Sequence, residues 1–106
     1  MRLFRNTPKE RPLTTMLREM EHGRFLEAWR ALNKDTSETV YPPHALSRLG
    51  RWLADHDEAK KALLPLRRFL DTYPQHLDRP QVAQGLTLCL RHLGKLKEAE
   101  RVEKQG

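Results

Sequence analysis

The side chains able to do chemistry in this 106-residue chain are few and scattered. Its five histidines, His22, His44, His56, His76 and His92, stand singly and mostly near the ends of predicted helices. No HExxH motif and no Cys-His pair at ligand spacing accompanies them, so a metal site would have to be gathered from distant segments and none is expected. The one cysteine, Cys89, falls on an apolar stripe, where a buried inert thiol is the natural reading rather than a nucleophile. A single cysteine excludes an internal disulfide and fits a reducing compartment. There is no GxSxG elbow, no glycine loop to cradle phosphate and no pair of acids in an apolar setting. Neither an enzyme nor a bound cofactor is expected.

What remains is charge. Twenty Lys and Arg residues stand against 14 Asp and Glu, giving +6, a balance that favours acidic proteins, nucleic acid or an anionic membrane surface as partners. Arg48, Arg51 and Trp52 lie close together in one predicted helix, and Arg91 and His92 in another. Arginine pairs bidentately with carboxylates, and an exposed tryptophan beside it can stack on a partner while excluding water. The plainer reading makes Trp52 a core residue and the arginines a solvated face. Lys60, Lys61, Arg67 and Arg68 form a second basic strip, suited to sequence-independent phosphate contact. No aromatic-interleaved RNA-binding signature joins it, and solvation is the preferred reading there.

Six amphipathic helical patterns must position these groups. The first runs from about Leu13 to His22, the second from Arg24 to Asn33, and a polar connection, Lys34 to Thr39, leads to Tyr41 and the Pro42-Pro43 pair. The third spans about His44 to Ala54. The fourth, about Asp57 to Thr72, is expected to kink at Pro65, where a backbone donor is missing. The fifth carries Val82, Leu86, Cys89 and Leu93, and the sixth Leu96, Ala99 and Val102. Asp55 with Glu58, and Asp78 with Gln81, are spaced as capping pairs. The fold class is all-α, three antiparallel helix-turn-helix pairs of about residues 12–33, 43–73 and 78–104, behind a basic N-terminal arm of residues 1–11. The arm lacks the apolar stretch of a secretory signal, and no apolar run approaches the roughly 18 residues that span a bilayer. A soluble, cytoplasmic protein is expected.

The corners of the three pairs recur. They read GRFLEA from Gly23, ADHDEA from Ala54 and GKLKEA from Gly94, so the Glu-Ala pair returns after 31 and then 40 residues. A small residue permits the sharp turn, and an alanine one turn into the next helix lets the two backbones approach. Recurrence on this scale marks a stacked helical-repeat array.

On these corners, with Pro74 after the second and Leu46 and Leu86 within first helices, residues 12–102 resemble the tetratricopeptide repeat family. The glycine that follows the family's leucine is replaced by Met16, Ser47 and Thr87. The resemblance implies a short right-handed array whose first helices line a concave groove that holds peptides or helices. It assigns to the groove Leu13, Leu17, Met20 and Glu21 in the first pair, Tyr41, His44, Arg48, Arg51 and Trp52 in the second, and Gln81, Gln84, Leu88, Arg91 and His92 in the third. The implied function is an adaptor or assembly module that binds an acidic peptide or helix. Two alternatives are sequence-independent nucleic-acid binding through the basic faces and self-association through end faces formed by Leu3, Phe4, Leu96 and Val102. The C-terminal segment from Lys95 shows no evident capping helix, which such arrays need.

Overall fold

A computed structural model describes residues 10–105. The basic arm, with Leu3 and Phe4, lies outside the described residues except for Glu10 and Arg11. Three of the 20 cationic residues, Arg2, Arg5 and Lys9, fall in that segment, and with them half of the +6 charge.

The described chain is all-α: α1 (Pro12–Glu21), α2 (Phe25–Lys34), α3 (Pro43–Asp55), α4 (Ala59–Thr72), α5 (Arg79–His92) and α6 (Leu96–Gln105). Each odd-numbered helix opens on a proline in its first two positions, where the missing N–H leaves no intrahelical bond unmade. The helices pack as sequential antiparallel pairs, α4 also lies on α5, and α2 reaches both α3 and α4. One elongated core results, in a body of 56 × 27 × 22 Å. Its centre is Leu46, Leu49 and Leu53 of α3 against Ala62, Leu66 and Phe69 of α4, closed on either side by Met16 and Leu32 and by Leu86 and Leu90.

The three turns within the pairs are hydrogen-bonded alike. Arg24 N–H donates to Glu19 O, Glu58 N–H to Leu53 O and Lys95 N–H to Leu90 O, each at 2.8 Å. In each turn one residue is left-handed: Gly23 at φ 73°, Asp57 at φ 61° and Gly94 at φ 79°. These are αL helix ends, where the 6→1 bond satisfies a terminal carbonyl. The corner of the middle pair is therefore Asp57, not Ala54. The alanines that follow correspond as Ala28, Ala62 and Ala99, whose amides bond to Arg24, Glu58 and Lys95 and which are all essentially inaccessible. These alanines are spaced by 34 and then 37 residues, and Glu58-Ala59 lies three residues ahead of the structurally equivalent position.

Helix α4 runs through Pro65 as one continuous helix, consistent with a kink rather than a break. The Pro65 ring is buried there, next to Gly50 of α3. Gly50 lets α3 lie close against α4: a Cβ on it would stand 2.4 Å from Leu66 Cδ2. Asp55 is the last residue of α3 rather than a cap for α4, and Asp78 stands at the N-cap of α5 without a side-chain cap bond. Instead the Asp78 amide donates to His76 Nδ1 at 3.0 Å. Helix α6 buries only Ala99 and turns Lys97, Glu100, Arg101 and Lys104 to solvent. No helix among the described residues is long and apolar enough to cross a membrane.

Candidate functional site

Because α3 and α5 both run antiparallel to α4, they lie side by side, and the space between them is a groove of about 840 Å³. Its floor is small and apolar: Gly50 and Ala54 on α3, Gly85 on α5, and Leu66 of α4 beneath. On one wall Arg48, Arg51 and Asp55 recur at helical spacing, so they share a face of α3, with Asp57 in the turn beyond. On the other wall Gln81, Gln84, Leu88 and His92 share a face of α5. Leu88 is 58% exposed there.

Six of the fourteen residues assigned to the groove from sequence thus line it: Arg48, Arg51, Gln81, Gln84, Leu88 and His92. Arg48 is steadied by its guanidinium lying 5.7 Å from the centre of the Phe25 ring. The remaining eight lie elsewhere: Leu13, Leu17, Met20 and Glu21 stand on α1, where Met20 is buried and Leu13 and Leu17 pack against the core. Tyr41 is 1% exposed and serves the connection between the first two pairs: its hydroxyl donates to Asp35 Oδ2 at 2.5 Å, and its carbonyl accepts from the Tyr73 hydroxyl. His44 is exposed near the start of α3, away from the groove. Trp52 is half-buried in a stack between Phe25, at 4.9 Å, and His56, at 3.9 Å, and so joins α3 to the first pair rather than offering a face to a partner. Arg91 turns to α6, where it donates to Glu103 at 2.6 Å.

The groove is also not the uniformly basic one that the arginines suggest. Asp55, Asp57 and Asp78 line it too. Among the described residues, Arg48, Arg51, Asp55 and Asp57 have no ion-pair partner within 4.0 Å, whereas Arg18, Arg24, Arg30, Lys61, Arg67, Arg91 and Lys95 all have one. Cys89 closes the floor on the α5 side. Burial, and then the charge of Asp55, push its thiol up from the ordinary range, so the thiolate is disfavoured.

The second basic strip proves partly spent. Arg67 pairs with Glu98 of α6 at 2.5 Å, Lys61 pairs with Glu58 and lies over the Trp29 ring, and Arg68 lies over Tyr41. Lys60 is left exposed.

The sequence reading gave no role to Asp35. Its carboxylate accepts from the Ser37 amide at 2.9 Å, the Ser37 hydroxyl at 2.5 Å and the Tyr41 hydroxyl. The Ser37 hydroxyl first, then Tyr41, hold its pKa below the usual carboxylate range. Burial and the Asp35 charge in turn push the Tyr41 phenol up. The Asp-x-Ser spacing, which favours an Asp side chain folding back on the amide two residues on, was the signal that could have found it.

Compared with family models, with curated proteins and with solved structures, the chain yields no match.

Proposed function

We propose that this protein is a tetratricopeptide-like adaptor that holds a peptide segment of another protein in the groove between α3 and α5, by binding rather than by catalysis. The observation that carries the reading is the groove itself, an open trough floored by small residues, flanked by an exposed leucine and two arginines without intramolecular ion pairs. Exposed apolar surface rimmed by polar groups is characteristic of interaction sites, and unpaired arginines suit carboxylates of a partner.

The corrected repeat register supports the family resemblance. The family's unit is 34 residues long and carries an apolar residue, a leucine-glycine pair, a second apolar residue, then an alanine, a further apolar residue and a proline at set intervals. Aligned on Ala62, the middle pair supplies Leu46, Leu49-Gly50, Leu53, Ala62, Leu66 and Pro74 at those intervals. Gly50 then stands where the family has its glycine, a place to which the register based on Ala59 had assigned Ser47. The first and third pairs carry Met16 and Thr87 at that place.

Gly85 offers a test that spares the core. A Cβ added there meets only Leu66 Cδ1, at 4.0 Å, and otherwise open groove. Gly85→Leu is expected to leave the helical circular dichroism and melting temperature intact or improved while removing partner recovery in a pull-down with the tagged full chain. Recovery unchanged by this substitution would place the partner elsewhere. If instead the protein shifts generic RNA at low salt, steeply weakened as salt rises, the basic faces are the working surface and the groove reading fails.

A further inference from the structure

The charges along the groove have an order, and that order selects the partner more narrowly than net charge does. Along α3 the wall is positive at Arg48 and Arg51 and becomes negative at Asp55 and Asp57. At about 1.5 Å of rise per residue, Arg48 and Asp55 stand about 10 Å apart along the helix. None of the four has an ion-pair partner among the described residues, so their charges remain free to act on whatever lies in the groove. Asp55 lines the same groove as Cys89 of α5, where burial first and then the Asp55 charge push the thiol pKa up. The opposite wall is neutral and apolar in its middle, through Gln84 and Leu88. Because α3 and α5 run in the same direction, Asp78 at the N-cap of α5 stands beyond the Arg48 end of the groove and His92 towards the Asp55 end.

Resting on the groove reading above, we propose that the occupant is an amphipathic helix of a protein partner carrying both charges in sequence, glutamate or aspartate against Arg48 and Arg51 and lysine or arginine about two turns away against Asp55 and Asp57, with an apolar side chain between them on Leu88. A helix lying along α3 shares its rise, so acids at i and i+3 and a base at i+7 meet the three α3 charges in step. A uniformly acidic segment gains at one end of the groove and is repelled at the other, which is how order rather than sum gives specificity.

The probes are three labelled helix-forming peptides of equal length with the same central leucine: one with acids and bases separated by two turns, one of identical composition with the charges intermixed, and one with acids only. Binding to the full chain is read by fluorescence anisotropy at low salt. The separated peptide is expected to bind about five- to tenfold more tightly than either of the others, since each exposed pair contributes only modestly. In Asp55→Lys/Asp57→Lys, checked for fold by circular dichroism, the preference inverts towards the all-acid peptide. Equal binding of the separated and all-acid peptides, blocked in both cases by Gly85→Leu, would overturn the ordered-charge proposal and leave the groove reading standing. Equal binding that Gly85→Leu does not touch, or no binding by any peptide at millimolar concentration, would overturn both.

Discussion

Asp35 joins the connection between the first two pairs to the rest of the fold, because it receives three hydrogen bonds and one of its donors, Tyr41, is itself held by Tyr73 at the end of α4. Replacing it strands the buried Tyr41 hydroxyl, a loss of about 1–3 kcal/mol. The pH dependence has a definite sign. The carboxyl is more acidic folded than its ordinary value of 3.8, so its contribution is complete above that value and is lost as the pH falls through it. Urea unfolding of Asp35→Ala at a series of pH values should therefore show the largest gap from wild type above about pH 5, closing below about pH 4. A gap that persists unchanged at pH 3 would contradict this account. Tyr41 shows why this was hidden in the sequence: a tyrosine just before two prolines looks like a free recognition residue, and only the fold shows its hydroxyl aimed at a carboxylate six residues back.

At the scale of the element, six helices were readable from apolar periodicity, and their observed ends lie within a few residues of the pattern. The corners were harder. Gly23 and Gly94 announced themselves because glycine is the usual left-handed residue, but the middle pair uses Asp57 in that conformation, at a steric cost glycine avoids. A Cβ on Gly23 or Gly94 meets nothing within 4 Å, so substitution there tests backbone strain alone. Gly23→Ala and Gly94→Ala should each cost about 1–2 kcal/mol, while Asp57→Gly should raise stability by up to about 1 kcal/mol. In thermal melts each kcal/mol corresponds to about 4–8 °C for a domain of this size. If Ala54 were the corner, Asp57→Gly would instead be neutral or harmful.

In the whole molecule, Leu66 is the piece through which α3, α4 and α5 meet, flanked by Gly50 on one side and Gly85 on the other. The two glycines are chemically the same and should behave oppositely. Gly50→Ala drives a methyl into Leu66, which is 3% exposed and closely packed, and should cost about 1–3 kcal/mol. Gly85→Ala meets ordinary contact distance and should gain about 0.5–1 kcal/mol from helix propensity alone. Chemical denaturation of the two variants side by side checks both signs. The sequence by itself determined that this chain makes six helices in antiparallel pairs, because 3.6-residue periodicity and turn residues are local and were written plainly. It also placed Arg48, Arg51 and Leu88 on surfaces that come to line the groove. Tertiary structure alone showed that Asp57 is the left-handed corner of the middle pair and that Trp52 is sandwiched between Phe25 and His56. Those outcomes depend on which helix faces meet, and packing of Leu66 against Gly50 and Gly85 sets that, rather than any motif along the chain.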